Sequence, residues 1–149
     1  MGVDHSDMDR YFTIEWGNFG FSRCIEDTNY YRKISEGKFP VKWMSPEAIS
    51  DRKFTIQSDI WSFGVLFWEI ISMGDIPYKQ DPPMLYLEKI MAGNYLEQPL
   101  NCSDDIYKVM EQCWRFCPND RPSWNVLIPE VQNLLLVYSQ HHEYRGTIV

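Results

Sequence analysis

The residues whose types and spacing could support chemistry are concentrated in one stretch, residues 18–64. Two adjacent tyrosines in it, Tyr30 and Tyr31, offer hydroxyl groups and have arginines nearby. A phosphate on such a hydroxyl would add about two negative charges and could order the segment by pairing with Arg23 or Arg32. Alternatively, one tyrosine packs inward and the other is an ordinary exposed loop residue.

The cysteines do not have the spacing of a metal site. No two of them form a C-x-x-C pair, which disfavours zinc. Nothing else in the chain suggests secretion, so we predict free thiols in a reducing compartment. The four residues are Cys24, Cys102, Cys113 and Cys117.

Composition restricts the class of protein. The chain has 149 residues, of which 44% are hydrophobic and 15% aromatic, and this predicts one folded domain with a core. A formal net charge of −7 disfavours a nucleic-acid binder, which usually needs a basic face. No apolar run reaches membrane-spanning length, so we expect no transmembrane segment in this chain.

The elements that must position the reactive stretch are predicted to be helices. Their start and stop signals and apolar periodicity indicate about four to five helices and a mainly α fold. The chain divides into a disordered or remnant segment (1–11), a strand followed by a long loop (12–47), a helical part (48–138) and a tail (139–149). Pro129 should kink or split the last helix.

Punctuation residues predict where these helices begin and end. The first is expected to begin with Ser58 as N-cap and to stop at Gly74, and it is apolar nearly all round, which predicts burial on most sides. Asp81 is the expected cap of the second helix, which should end before Gly93. The third should begin near Ser103.

Six ordered motifs give the chain a family resemblance. In order and spacing, residues 12–138 resemble the activation segment and C-terminal large lobe of protein tyrosine kinases, most like receptors of the fibroblast growth factor receptor type. The resemblance implies a partial protein-kinase-like large lobe. The motifs are Asn18-Phe19-Gly20, Tyr30-Tyr31, Pro40-Val41-Lys42-Trp43-Met44-Ser45-Pro46-Glu47, Gln57-Ser58-Asp59, Trp61-Ser62-Phe63-Gly64-Val65-Leu66 and Cys113-Trp114.

The resemblance places Asn18 where the family has a magnesium-binding aspartate. Asparagine is neutral and offers one carbonyl oxygen, so the Mg²⁺·ATP site is expected to be weakened or lost. The alternative is that Asn18 simply occupies a turn, where asparagine is common. Phe19 is expected to pack beneath the cleft, and Gly20 to permit the backbone turn.

The same resemblance assigns roles to two parts of the loop. Tyr30 and Tyr31 correspond to an activation-loop phosphorylation pair. A peptide-substrate platform is implied at Pro40, Val41, Lys42 and Trp43, where the stem of Lys42 would support the phenol ring of a tyrosine substrate. The alternative is a packed loop that precedes a helix.

Three further residues receive structural roles by resemblance. Glu47 is expected to pair with Arg121, although the two could also be separate solvated charges. Asp59 corresponds to a residue that accepts hydrogen bonds from a catalytic loop, and we expect it to lack those partners here.

The resemblance also predicts what this chain does by itself. We find no G-x-G-x-x-G loop, no V-A-I-K lysine and no H-R-D-x-x-x-x-N loop, and residues 1–17 are too short to hold them. We therefore expect the activation loop and substrate platform of a tyrosine kinase without activity in the isolated chain, which leaves its status as an enzyme open. ATP and Mg²⁺ would belong to an intact parent, and no cofactor is expected here. The alternatives are a pseudokinase or truncated isoform that binds proteins, and an incomplete product without a stable fold.

Partners and location follow from that interpretation. Protein substrates, phosphotyrosine-reading domains and other kinase-domain segments are the expected partners. The C-terminal residues Thr147-Ile148-Val149 also resemble a ligand for domains that capture C-terminal carboxylates. The expected location is the cytoplasm, or the cytoplasmic side of the membrane if the chain is part of a receptor.

Overall fold

Helices dominate the described part of the chain. The computed structural model describes residues 31–32 and 40–143, and in these residues it confirms the predicted mainly α fold. Three short 3₁₀ turns connect the longer elements, at Val41–Trp43, Pro83–Leu85 and Pro118–Asp120. The elements are β1 (Tyr31–Arg32), α1 (Pro46–Ser50), β2 (Lys53–Phe54), α2 (Ile56–Ile71), α3 (Tyr86–Met91), α4 (Asp104–Cys113) and α5 (Trp124–Glu143).

Helix α2 begins three residues earlier than the sequence predicts. Thr55 is its N-cap, and Ser58 lies at the third helical position, where the two residues exchange side-chain and backbone hydrogen bonds as a capping box. The prediction that Ser58 is the cap is therefore wrong. The helix ends at Ile71, before the predicted stop: Met73 adopts a left-handed φ of 63°, and the Gly74 N–H bonds back to the Glu69 carbonyl at 2.8 Å.

The core forms where α2 packs on α4, and α5 also packs on α4. Residues of α2 that point inward are buried, and we call them the core face: Ile60, Trp61, Gly64, Val65, Phe67 and Ile71. The side of α2 turned away from this core carries exposed or half-buried residues, and we call it the open face: Ile56, Asp59, Ser62, Leu66 and Ile70. The expectation that α2 is buried on most sides is wrong for the described residues, because only the core face is fully covered.

Helix α3 is shorter than predicted, and its start differs. Pro83–Leu85 forms a 3₁₀ turn before it, so Asp81 does not cap the helix. The Asp81 carboxylate instead forms an ion pair with Lys89, in which Lys89 Nζ lies 2.6 Å from Asp81 Oδ2. Gly93, with a φ of 80°, lies past the end of α3 as expected.

The last two helices follow their sequence signals more closely. Ser103 caps α4 through a hydrogen bond from the Ile106 N–H, which confirms the predicted start. Helix α5 is not split at Pro129, and it continues past residue 138 to Glu143. Pro129 and Asn125 are both exposed, so the carbonyl that loses its helical partner can bond to water.

The small sheet pairs β1 with β2 in antiparallel register, with Tyr31 opposite Phe54. The described helices include none that is both long and apolar enough to cross a membrane.

Candidate functional site

The predicted platform forms a single turn on the surface of α2. We call residues 40–45 the platform loop. Val41–Trp43 is a 3₁₀ turn closed by a 3.0 Å hydrogen bond from the Trp43 N–H to the Pro40 carbonyl. Pro40 is exposed, and the next three side chains are half-buried, so the loop presents a mixed apolar and polar surface. Proline fixes φ at the start of this turn, observed at −75°.

Three successive residues anchor the platform loop to three different places. The Lys42 ammonium donates to the Tyr78 carbonyl at 2.7 Å. The Trp43 indole N–H donates to Glu69 Oε2 on α2 at 3.1 Å. The carbonyl of Met44 accepts a 3.1 Å hydrogen bond from the hydroxyl of Tyr86 on α3. These three hydrogen bonds hold the Lys42 and Trp43 side chains and the Met44 backbone in place.

Helix α1 follows the platform loop directly, and its first turn carries a largely buried ion pair. Ser45 caps α1, and Glu47 accepts two hydrogen bonds from the Arg121 guanidinium, at 2.7 and 3.0 Å. The structure thus brings together two residues that are 74 positions apart in sequence. The Arg121 side chain is fully buried and that of Glu47 is 14% exposed, so this is not a solvated pair.

Arg121 is saturated with hydrogen bonds. Its five N–H groups donate two bonds to Glu47 and one each to the carbonyls of Gln57, Arg115 and Phe116. Its guanidinium also lies over the Trp61 ring, 5.0 Å from the centroid. A buried charge is tolerated only when it is paired and hydrogen-bonded in this way. Arg121 therefore joins α1, the start of α2 and the segment after α4.

Asp59, on the open face of α2, has the opposite environment. Its carboxylate accepts no hydrogen bond and forms no ion pair within the part of the chain that the structure describes. The residue is exposed, yet nearby protein atoms shield the carboxyl enough to raise its pKa above the ordinary value of 3.8. Asp59 is thus a charge without a compensating group among residues 31–32 and 40–143.

The remaining predicted residues are not all brought into this site. Asn18, Phe19, Gly20 and Tyr30 lie outside the described residues, and only the backbone of Tyr31 is described, in β1. Within the described ranges no three His, Cys, Asp or Glu side chains are grouped so that they could hold a metal ion. The described residues alone therefore do not fit a magnesium site. The three described cysteines are free.

Sequence reasoning missed the residues that hold the platform loop from below. Tyr78, Tyr86 and Glu69 bind it, but none belongs to a motif. One signal was available for Tyr86: it shares the inner stripe of α3 with Ile90, and a hydroxyl in a buried stripe needs a partner. No sequence signal indicates that a backbone carbonyl at position 78 would accept from Lys42.

Comparison with known proteins gives consistent results. The sequence profile described as protein tyrosine and serine/threonine kinase matches residues 8–131. A fibroblast growth factor receptor of Hydra vulgaris is 44% identical over 129 residues, which cover 84% of this chain and 15% of the relative. Fibroblast growth factor receptor 1 of Xenopus laevis is 41% identical over 127 residues, covering 85% of this chain and 16% of the relative.

A second receptor type is also similar. The insulin-like growth factor 1 receptor of Xenopus laevis is 44% identical over 124 residues, covering 83% of this chain and 9% of the relative. The chain thus spans no more than 16% of the length of these three relatives. The predicted resemblance to receptor tyrosine kinases is confirmed.

Proposed function

Because the chain belongs to the protein tyrosine and serine/threonine kinase family, we propose that it forms the substrate-binding and regulatory part of a tyrosine kinase large lobe. The platform loop receives the tyrosine-containing segment of a protein substrate, and Tyr30 and Tyr31 are the regulatory phosphorylation sites. In an intact parent, phosphoryl would pass from ATP, bound with Mg²⁺, to the substrate tyrosine. The location we propose is the cytoplasm, or the cytoplasmic face of the membrane for a receptor.

The observation that carries this proposal is the anchoring of the platform loop. Lys42 and Trp43 are held by hydrogen bonds to Tyr78 and Glu69, and the loop continues into α1, which Arg121 fixes in place. A surface that must accept a ring in one orientation benefits from being ordered before the ligand arrives.

Peptide binding tests the proposal directly. We expect the 149-residue chain to bind a fluorescein-labelled peptide with a central tyrosine more tightly than the same peptide with serine, measured by fluorescence anisotropy. Lys42→Ala should reduce the preference, because the stem that supports the ring is removed. Lys108→Ala is the matched control, since Lys108 is an exposed lysine on α4. Equal affinity for the two peptides would contradict the platform.

We also propose that these residues, assayed alone, do not transfer phosphate. The sequence contains no phosphate-binding glycine loop or catalytic-loop motif, and Asn18 stands at the metal position. Neither the chain nor its Asn18→Asp variant should phosphorylate a tyrosyl peptide with radiolabelled ATP and Mg²⁺, in an assay that an active tyrosine kinase domain validates. Transfer by the unmodified chain would refute this part of the proposal.

One observation favours a second function, that of a protein-binding module. The open face of α2 carries Ile56 at 56% and Ile70 at 43% exposure, and such surface on a long helix favours association with another protein. Another kinase-domain segment is the partner we propose for this face. Phosphotyrosine-reading domains would bind at Tyr30 and Tyr31, and the C-terminal Thr147-Ile148-Val149 is a further candidate ligand.

A phosphorylation measurement tests the tyrosine pair, which both functions use. Tandem mass spectrometry of the chain expressed with an active receptor tyrosine kinase should find phosphate on Tyr30, Tyr31 or both. If neither is modified, the regulatory role of this pair is wrong, whereas the peptide-binding result is unaffected.

A further inference from the structure

A tyrosine hydroxyl lies in the core directly beneath the platform loop. Tyr86 is fully buried, and its hydroxyl donates to the Met44 carbonyl at 3.1 Å while it accepts from the Trp61 indole N–H at 3.3 Å. Burial raises the pKa of Tyr86 well above its ordinary value of 10.0, so the phenol stays protonated and remains a donor at any physiological pH. The hydroxyl therefore links α2, α3 and the platform loop.

The groups that bond to this hydroxyl are buried. Met44 is 9% exposed, and Trp61 and Tyr86 are fully buried, so the three polar groups satisfy one another away from solvent. If the hydroxyl were removed, the Met44 carbonyl and the Trp61 N–H would both lose a partner in a buried position. The Met44 backbone would then lose the hydrogen bond that ties the platform loop to α3.

The Tyr86 side chain also supports the anchor between Lys42 and the Tyr78 carbonyl. The rings of Tyr78 and Tyr86 meet edge to face with centroids 4.9 Å apart. Tyr78 has a left-handed φ of 49°, which is uncommon for an aromatic residue and persists only where packing enforces it. In this conformation the Tyr78 carbonyl accepts from Lys42 at 2.7 Å. Tyr86 thus positions Met44 directly and Lys42 through Tyr78.

We infer that Tyr86 is a positioning residue for the substrate platform, because it sets the backbone of residues 42–44 from beneath without touching the peptide. The inference rests on the proposed function of the platform loop. The inference gives a residue of α3, outside the platform motif, an effect on peptide affinity. It also predicts that loss of one buried hydroxyl weakens binding at a surface on the other side of the loop.

The decisive variant is Tyr86→Phe in the 149-residue chain, which keeps the ring and its packing. The matched control is Tyr107→Phe, because Tyr107 also donates its hydroxyl to a backbone carbonyl, that of Leu96, at 2.7 Å, but makes no described hydrogen bond to residues 40–45. We expect Tyr86→Phe to weaken binding of the fluorescein-labelled tyrosyl peptide about fivefold, and Tyr107→Phe to leave it unchanged. Hydrogen exchange at the Met44 amide, which bonds to the Val41 carbonyl, should accelerate only in Tyr86→Phe.

The outcomes separate this inference from the proposed function. If the unmodified chain does not prefer the tyrosyl peptide, the proposed function fails, and the Met44 exchange comparison still decides whether Tyr86 orders the loop. If the chain binds the peptide but Tyr86→Phe changes neither affinity nor exchange, the inference is overturned. Equal weakening in both variants, or a non-cooperative melt of Tyr86→Phe, would assign the hydroxyl to general stability and overturn it as well.

Discussion

The two faces of helix α2 both carry apolar residues in sequence, but their surroundings are very different. The core face holds Trp61 at 0% exposure beneath the Arg121 guanidinium, and Gly64 against α4. The open face holds Asp59 without a described partner and Ile70 at 43% exposure. The difference shows what an apolar pattern on most sides of a helix can predict. It indicates that the helix packs against other elements, but not which side the described residues cover.

The largest effect should come from removing the charge that closes the core face. Arg121→Ala should lower the free energy of unfolding by about 4 kcal/mol, since it leaves Glu47 and three carbonyls without their donor. The measurement is urea denaturation followed by circular dichroism. Lys108→Ala, which removes an exposed pair with Asp105, should cost less than about 0.5 kcal/mol. Similar losses in both variants would mean that the buried Arg121 pair stabilises the fold no more than an exposed ion pair does.

A smaller loss is expected inside the core face. A Cβ at position 64 would lie 2.7 Å from both Cys113 Cβ and the Trp114 indole nitrogen, so Gly64→Ala should destabilise by about 2 kcal/mol. Ser62→Ala, on the open face of the same helix, should change stability by less than about 0.5 kcal/mol. Thermal melts of the two variants make the comparison. A neutral Gly64→Ala would show that α4 can move away from α2 at little cost.

The open face should respond in solubility more than in stability. Ile70→Ser should cost less than about 1 kcal/mol, because the side chain is already partly in water, but it should reduce self-association and dye binding to apolar surface. Static light scattering and a fluorescent apolar dye give the two readouts. Leu100→Ser is the control, since Leu100 is a fully exposed apolar residue away from α2. Equal effects of both changes would remove the case for a distinct open face.

The smallest effect concerns the pH dependence of stability at Asp59. Its raised pKa means that the folded state holds the proton more tightly than the unfolded state does. Protonated Asp59 therefore contributes stability that is fully present below the ordinary pKa of 3.8. This stability is lost as the pH rises through the raised pKa of the folded state. Asp59→Asn should therefore flatten the stability profile in that acidic window. At pH 7 it should change stability by less than about 0.5 kcal/mol, because the group is solvent-screened. An unchanged profile in urea titrations at several pH values would contradict the shift.

Local signals in the sequence were reliable where one short-range interaction decides the structure. Ser103 caps α4 because its side chain reaches an N–H within the same turn. The start of α2 was misplaced because Thr55 and Ser58 are both good caps, and only their mutual hydrogen bonds select Thr55. Asp81 does not cap α3 because the 3₁₀ turn Pro83–Leu85 moves the helix start to Tyr86, and its carboxylate pairs with Lys89 instead.

Sequence alone established the kinase resemblance, the mainly helical fold and the expectation that Glu47 meets Arg121. The motifs could do this because their order and chemistry are retained in one dimension. Only the tertiary structure decided which face of α2 is covered, and that Tyr86 and Tyr78 hold the platform loop. These outcomes depend on backbone carbonyls and packing between segments some 36 to 42 residues apart, and the side-chain pattern of neither segment encodes them.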